Sequence, residues 1–168
     1  FIPLFFKKKI KRIPNKKQLY YFFAIGIGFL FIEIVLIQKF ILFLGHTIFS
    51  TITIIFSMLL FSSLGSLYSQ KIDVKNLRRI IFILFLLILV YSFLLKFFID
   101  NFITLNLILK IILTSIFIAP LSFFMGFVFP IGIKKINKEL IPWAWAVNGS
   151  ASVLSPILAI LIALYAGY

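Results

Sequence analysis

The 168 residues contain no cysteine. That excludes disulfides, thiolate metal sites and a cysteine nucleophile. Histidine occurs once, as His46, and acids occur four times, as Glu33, Asp73, Asp100 and Glu139. A metal site needs several ligands, and His46 has no second His or Cys to join it. No acid pair, nucleophile–base set or metal cluster stands out. No glycine-rich loop falls between a strand and a helix, where a nucleotide would bind. No catalytic, metal or cofactor site is therefore expected in this chain. The opening lacks the basic, apolar and small order of a signal peptide. The even strand alternation of a membrane barrel is missing throughout.

Apolar surface is what the chain has in abundance. Hydrophobic residues make up 63% and charged residues 12%, with a mean hydropathy of +1.20. Soluble domains average about 45–50% apolar and about 25% charged. Five apolar runs occur, at about Leu19 to Leu44, Thr47 to Ser69, Ile80 to Phe98, Leu105 to Ile133 and Trp143 to Ala166. Each is long enough to cross a hydrocarbon core that needs about 20 helical residues. Helices satisfy their own backbone in lipid, so the expected fold is an all-α, polytopic membrane bundle of five helices. The fourth run is long and carries Pro120 mid-span, which predicts a tilt or a kink there. Gly126, Pro130 and Gly132 predict a bent exit from the same run. Pro142 suits the first turn of the fifth helix, and Trp143 and Trp145 suit the interfacial belt.

The net charge is +13, from 17 Lys and Arg against 4 Asp and Glu. In a soluble protein that would point to nucleic acid. Here the charges sit between apolar runs, so the positive-inside rule accounts for them and no nucleic-acid partner is expected. Residues 1–18 form a basic juxtamembrane segment ahead of a transmembrane domain over 19–168. That segment holds Lys7, Lys8, Lys9, Lys11, Arg12, Lys16 and Lys17. Lys71, Lys75, Arg78 and Arg79 follow the second run, and Lys134, Lys135 and Lys138 follow the fourth. These fourteen fall on one side, against Lys39, Lys96 and Lys110 on the other. The bias predicts a multi-pass protein of the cell membrane with its amino terminus cytoplasmic. The chain opens on Phe1 and has an odd number of runs, so it is expected to be a piece of a longer protein.

Polar residues inside the runs are the candidate functional positions. Glu33 lies within "GIGFLFIEIVLIQKFILFLGH", residues 26 to 46, with Gln38 beyond it. An unpaired charge there costs several kcal/mol, so such an acid faces protein or water. It shares a helix face with Gly26, Phe29, Leu30, Ile37 and Phe40, and Gly26 would let another helix come close. Two readings stand: an acid that locks helix packing, or a proton or cation site in a transport path. The expected partner is Asn148 on the fifth helix, with Ser155 or a second-span serine taking its place if the depths do not match. His46, at a turn between runs, suits a helix-end hydrogen bond. Ser62, Ser66 and Ser69 recur with Gly65 at helical spacing, a small-residue face for tight packing. Asn148 and Ser152 stack at i, i+4, with Gly149 and Ala151 as small packing surface.

Three motifs in order carry a resemblance. "GIGFLFIEIVLIQKFILFLGH", "MGFVFPIGIKK" and "PWAWAVNGSASVL" resemble the carboxyl-terminal membrane region of spermidine synthase-like integral membrane proteins, over about residues 20–166. Glu33, Gln38, Gly45, His46, Gly126, Pro130, Trp145, Asn148, Gly149 and Ser152 match the motif positions. Thr47 departs from the pattern, where Pro is expected. The resemblance implies a soluble, Rossmann-type aminopropyltransferase-like domain in the same parent protein. It implies that this chain anchors that domain among lipid and other membrane helices, or handles a cation or polyamine with Glu33. The family's nucleoside- and amine-binding acids belong to the soluble domain and have no counterpart here. The chain purified alone is thus expected to give no aminopropyl transfer from decarboxylated S-adenosylmethionine to an amine. Product above the background of a boiled sample would refute this.

Overall fold

The computed structural model describes residues 15–165. Lys7, Lys8, Lys9, Lys11 and Arg12, with most of the basic segment, lie outside the described residues. Five helices follow one another: α1 Lys16–Leu44, α2 Thr47–Tyr68, α3 Leu77–Phe102, α4 Leu107–Lys134 and α5 Ile141–Tyr165. Short 3-10 turns occur at Ser69–Lys71, Val74–Asn76 and Lys138–Leu140, and no strand occurs among the described residues. All five helices are long and apolar enough to cross a membrane. The molecule is an all-α bundle and a multi-pass membrane protein.

Local chemistry sets the helix ends. Asn15 caps α1: its side chain accepts from the Lys17 amide, and the Gln18 side chain accepts from the Asn15 amide. This capping box starts the helix at Lys16, so Lys16, Lys17 and Gln18 form its first turn. Gly45 ends α1 with φ 78°, a left-handed conformation that glycine adopts without steric cost. Asn106 caps α4 by accepting from the Leu109 amide at 2.9 Å. Helix α3, Leu77–Phe102, extends beyond the apolar run at both ends, through Arg78 and Arg79 at its start and Asp100 at its close. Hydropathy marks the part that crosses lipid, while the backbone hydrogen bonds carry the helix further.

Helix α4 is continuous through both Pro120 and Pro130. A proline removes one i→i−4 bond. Beside Pro120, the Tyr91 hydroxyl of α3 donates to the Phe117 carbonyl. A side chain from a neighbouring helix thus serves the backbone next to the break.

Helices crossing in turn alternate in direction, so α1 and α5 run parallel, as do α2 and α4. These two parallel pairs make the most extensive contacts, whereas α4 and α5, adjacent in sequence, share little. Glycines let the α2 and α4 backbones touch. A Cβ on Gly65 would run into the Phe123 carbonyl, and a Cβ on Gly126 would run into the Ser62 carbonyl. The α1–α5 seam is built likewise, with Gly26 against the Asn148 carbonyl and the Ala151 side chain. Ala144, Ala151, Ser155 and Ala159 form the buried stripe of α5. Gly149 does not join it: it is exposed and meets nothing within 4 Å. Small residues on such seams allow close approach.

Two apolar cores fill the bundle. One joins Leu36, Phe40, Phe43, Ile54, Met58, Phe98, Ile118 and Leu121, and Phe98 stacks on Phe117 with ring centroids 4.2 Å apart. The other, at the basic end, joins Leu77, Ile80, Phe127, Val128 and Ile131. Gly126→Ala should destabilise the detergent-solubilised protein by about 1–3 kcal/mol, the cost of overpacking. Gly28→Ala, with open space around its Cβ, should not. Thermal or denaturant unfolding of both variants checks the contrast, and equal stabilities would contradict the close α2–α4 contact.

Candidate functional site

A polar cleft of about 360 Å³ lies between α1, α2, α4 and α5. Helix α5 contributes Asn148 and Ser152, and α2 contributes Ser62, Ser63 and Ser66. Helix α4 contributes Gly126 and Pro130, and α1 supplies Gly26, Phe29 and Leu30. The hydroxyl protons are largely committed. Ser62 donates to the Leu59 carbonyl at 3.3 Å, Ser63 to the Leu60 carbonyl at 2.7 Å and Ser152 to the Asn148 carbonyl at 2.8 Å. What these groups offer the cleft is therefore oxygen lone pairs. Pro130 has no amide to give the Gly126 carbonyl, which adds another acceptor. The Asn148 Oδ1 is buried and has no hydrogen-bond partner. The cleft is rich in acceptors and carries no formal charge. It can receive a hydrogen-bond donor such as a hydroxyl or an ammonium.

Glu33 is not part of this cleft. It is half-buried, and among the described residues it has no hydrogen-bond or ion-pair partner. The expected match to Asn148 does not form. Asn148 packs at the level of Gly26, two helical turns from Glu33, or about 10 Å along the axis. The substitute partners are also engaged elsewhere. Ser155 donates to the Ile27 carbonyl at 2.7 Å, and Ser50 of α2 donates to the Ile37 carbonyl at 2.7 Å. One turn beyond Ser155, α5 presents Ala159, which has no polar group to offer.

The remaining candidates separate as well. Gln38 is exposed. His46 is the N-cap of α2, its Nδ1 accepting from the Ile48 amide at 3.4 Å, with its ring edge-on to Phe49. Thr47 is the first residue of α2, directly after this cap. Ser152 also reaches the Gly26 carbonyl at 3.4 Å. Only Asn148 and Ser152, of the five candidates, are brought together. Among the described residues no cluster of His, Cys, Asp or Glu could hold a metal.

Three polar contacts escaped the sequence reading. Lys134, counted only as a topology charge, donates to the Ser69, Gln70 and Ile72 carbonyls at 2.8, 3.0 and 3.4 Å. It closes the carboxyl end of α2, where a cation complements the helix dipole. Tyr21 donates to the Val128 carbonyl at 2.6 Å and lies over Gly132. Ser57 donates to Ser115 at 2.8 Å across the α2–α4 seam. A tyrosine in α1 facing a glycine in α4 is a size match that only the pairing of those helices reveals.

No family model, curated protein or solved structure matches this chain.

An acid without a partner contributes no packing bond to lose. Glu33→Leu and Glu33→Gln should not lower unfolding free energy, since no side-chain bond is lost and an unpartnered acid is removed. Ser155→Ala should cost about 0.6–1.7 kcal/mol, the range for polar contacts between membrane helices. A larger loss for Glu33→Leu than for Ser155→Ala would reverse the assignment.

Proposed function

We propose that this chain is the membrane-embedded domain of a spermidine synthase-like protein. It sits in the cell membrane with its basic end cytoplasmic, and there it anchors a soluble, Rossmann-type aminopropyltransferase-like domain. The carrying observation is the polarity of the bundle. The start of α1 and the α2–α3 and α4–α5 connections share one end, and they hold Lys16, Lys17, Lys71, Lys75, Arg78, Arg79, Lys134, Lys135 and Lys138. Lys134, the last residue of α4, ties that helix to the α2–α3 connection, which braces this end. The family reading rests on the three motifs, and the orientation rests on the charge bias.

A second reading is favoured by one observation, the acceptor-lined cleft with the unpartnered Asn148 Oδ1. On it, the domain handles a cationic or hydroxylated small substrate such as a polyamine. Asn148 and Ser152 make the contact, and Glu33 stands outside it.

Two experiments separate these readings. Cysteines engineered at Gln70 and Asn137 should resist an impermeant thiol reagent in intact cells and react in lysed membranes. Ready labelling of both in intact cells would overturn the orientation. A photo-crosslinker at Asn137 in native membranes should capture a soluble transferase-like domain, and capture of lipid alone would remove the anchor reading. In liposomes, spermidine uptake that falls at least about tenfold in Asn148→Ala, while Glu33→Gln keeps it, would establish the second reading instead.

A further inference from the structure

A separate cleft of about 310 Å³ opens at the basic end, between the start of α1, the start of α3 and the end of α4. Lys17, Lys135 and Gln18 line it together with apolar Phe22, Leu77 and Ile136. No acid lines it. The described acids at this end are engaged or set apart: Asp73 accepts from the Lys75 amide at 3.2 Å, and Glu139 lies in the turn before α5. Lys134 is committed to three carbonyls. The ammonium groups of Lys17 and Lys135 have no hydrogen bond or ion pair among the described residues. The Gln18 side-chain oxygen is used by the Asn15 amide, which leaves its NH2 group free to donate.

A second observation concerns the helix starts. Helices α1 and α3 both begin at this cleft, and neither has an acid in its first turn. Each instead begins with a basic pair, Lys16 and Lys17 or Arg78 and Arg79. The amino end of a helix carries partial positive charge, so basic residues there have the unfavourable sign. The α3 start continues the Val74–Asn76 turn, so its Leu77 amide bonds the Val74 carbonyl and Asp73 caps the turn ahead of it. Two unpaired ammonium groups and the Gln18 NH2 group thus face a space whose remaining walls are mostly apolar. An anion would relieve the repulsion, and an attached hydrocarbon chain would cover Phe22, Leu77 and Ile136. A free phosphate ion would leave that apolar part wet.

We propose that this cleft binds an anionic phospholipid from the surrounding bilayer. The phosphate oxygens accept from the Lys17 and Lys135 ammonium groups and the Gln18 amide, and an acyl chain lies along Phe22, Leu77 and Ile136. Basic pockets between membrane helices recognise lipid headgroups by this combination. The proposal uses neither the family reading nor Asn148.

Native mass spectrometry of the full chain in detergent tests it, with phosphatidylglycerol and phosphatidylcholine as probes. Phosphatidylglycerol should bind and phosphatidylcholine should not. The double variant Lys17→Gln/Lys135→Gln should lose at least about tenfold in affinity, since each basic contact with an anionic lipid is worth about fivefold. The control Lys75→Gln/Lys138→Gln changes net charge equally at the same end, but neither lysine lines the cleft, and it should lose less than about threefold because charges outside the contact are screened. Unchanged unfolding temperatures of both variants would assign the loss to binding. Equal losses in the two doubles would reduce the effect to diffuse charge and overturn the site. Displacement of phosphatidylglycerol by excess inorganic phosphate would overturn the lipid assignment.

Discussion

Contact between one helix's backbone carbonyls and its neighbour's small or hydroxyl-bearing residues is the interaction on which this bundle depends. Lipid tails are as apolar as leucine, so water-driven burial does not hold membrane helices together. The seams supply what is missing. Gly65 and Gly126 bring the Phe123 and Ser62 carbonyls to the opposite backbone, a geometry suited to weak Cα–H···O contacts. Ser50, Ser155 and Tyr21 donate across seams to the Ile37, Ile27 and Val128 carbonyls. Tyr91 reaches the Phe117 carbonyl, and Lys134 gathers three carbonyls at the end of α2. The same acceptor recurs while the donor varies.

This pattern explains the division of labour among polar residues. A hydroxyl or a glycine can use a carbonyl that is already bonded within its helix, because a carbonyl has two lone pairs. A carboxylate has only acceptors when ionised, so a seam of carbonyls offers it nothing. Glu33 accordingly stands apart from the seams, and the serines on either side of it bond backbone instead. Asn148 differs again. Its main-chain carbonyl faces Gly26 and receives Ser152, while its side-chain oxygen is left over. The polar cleft is thus a by-product of seam geometry that is chemically poised to accept a donor.

The two ends of the bundle have different characters. At one end, basic connections, a lysine tie and the starts of α1 and α3 concentrate positive charge around a cleft with an apolar floor. At the other, tight caps at Gly45 and His46 and an aromatic core around Phe98 and Phe117 close the structure. Both of the roles proposed for the first end rest on the same charge asymmetry.

Much of this architecture was legible in residues alone. Apolar runs of helical length decided five spans, because lipid forces every backbone group to be satisfied within its own segment. His46 marked a helix end through a local hydrogen bond that needs no third helix, whereas the Asn15–Gln18 capping box, hidden inside the basic segment, was not read. Gly26 announced a close approach, and Gly65 with its serines announced a tight seam. Which helix would fill each seam was not legible. Five apolar faces are nearly interchangeable by hydropathy, and pairings such as α2 with α4 depend on the fit of Gly65 to Phe123 and of Ser57 to Ser115. The depth of Asn148 against Gly26, which parted it from Glu33, and the reach of Lys134 to α2 were settled only in three dimensions. Sequence patterns report what each helix can bury, whereas partner and register come from the matching of surfaces far apart along the chain.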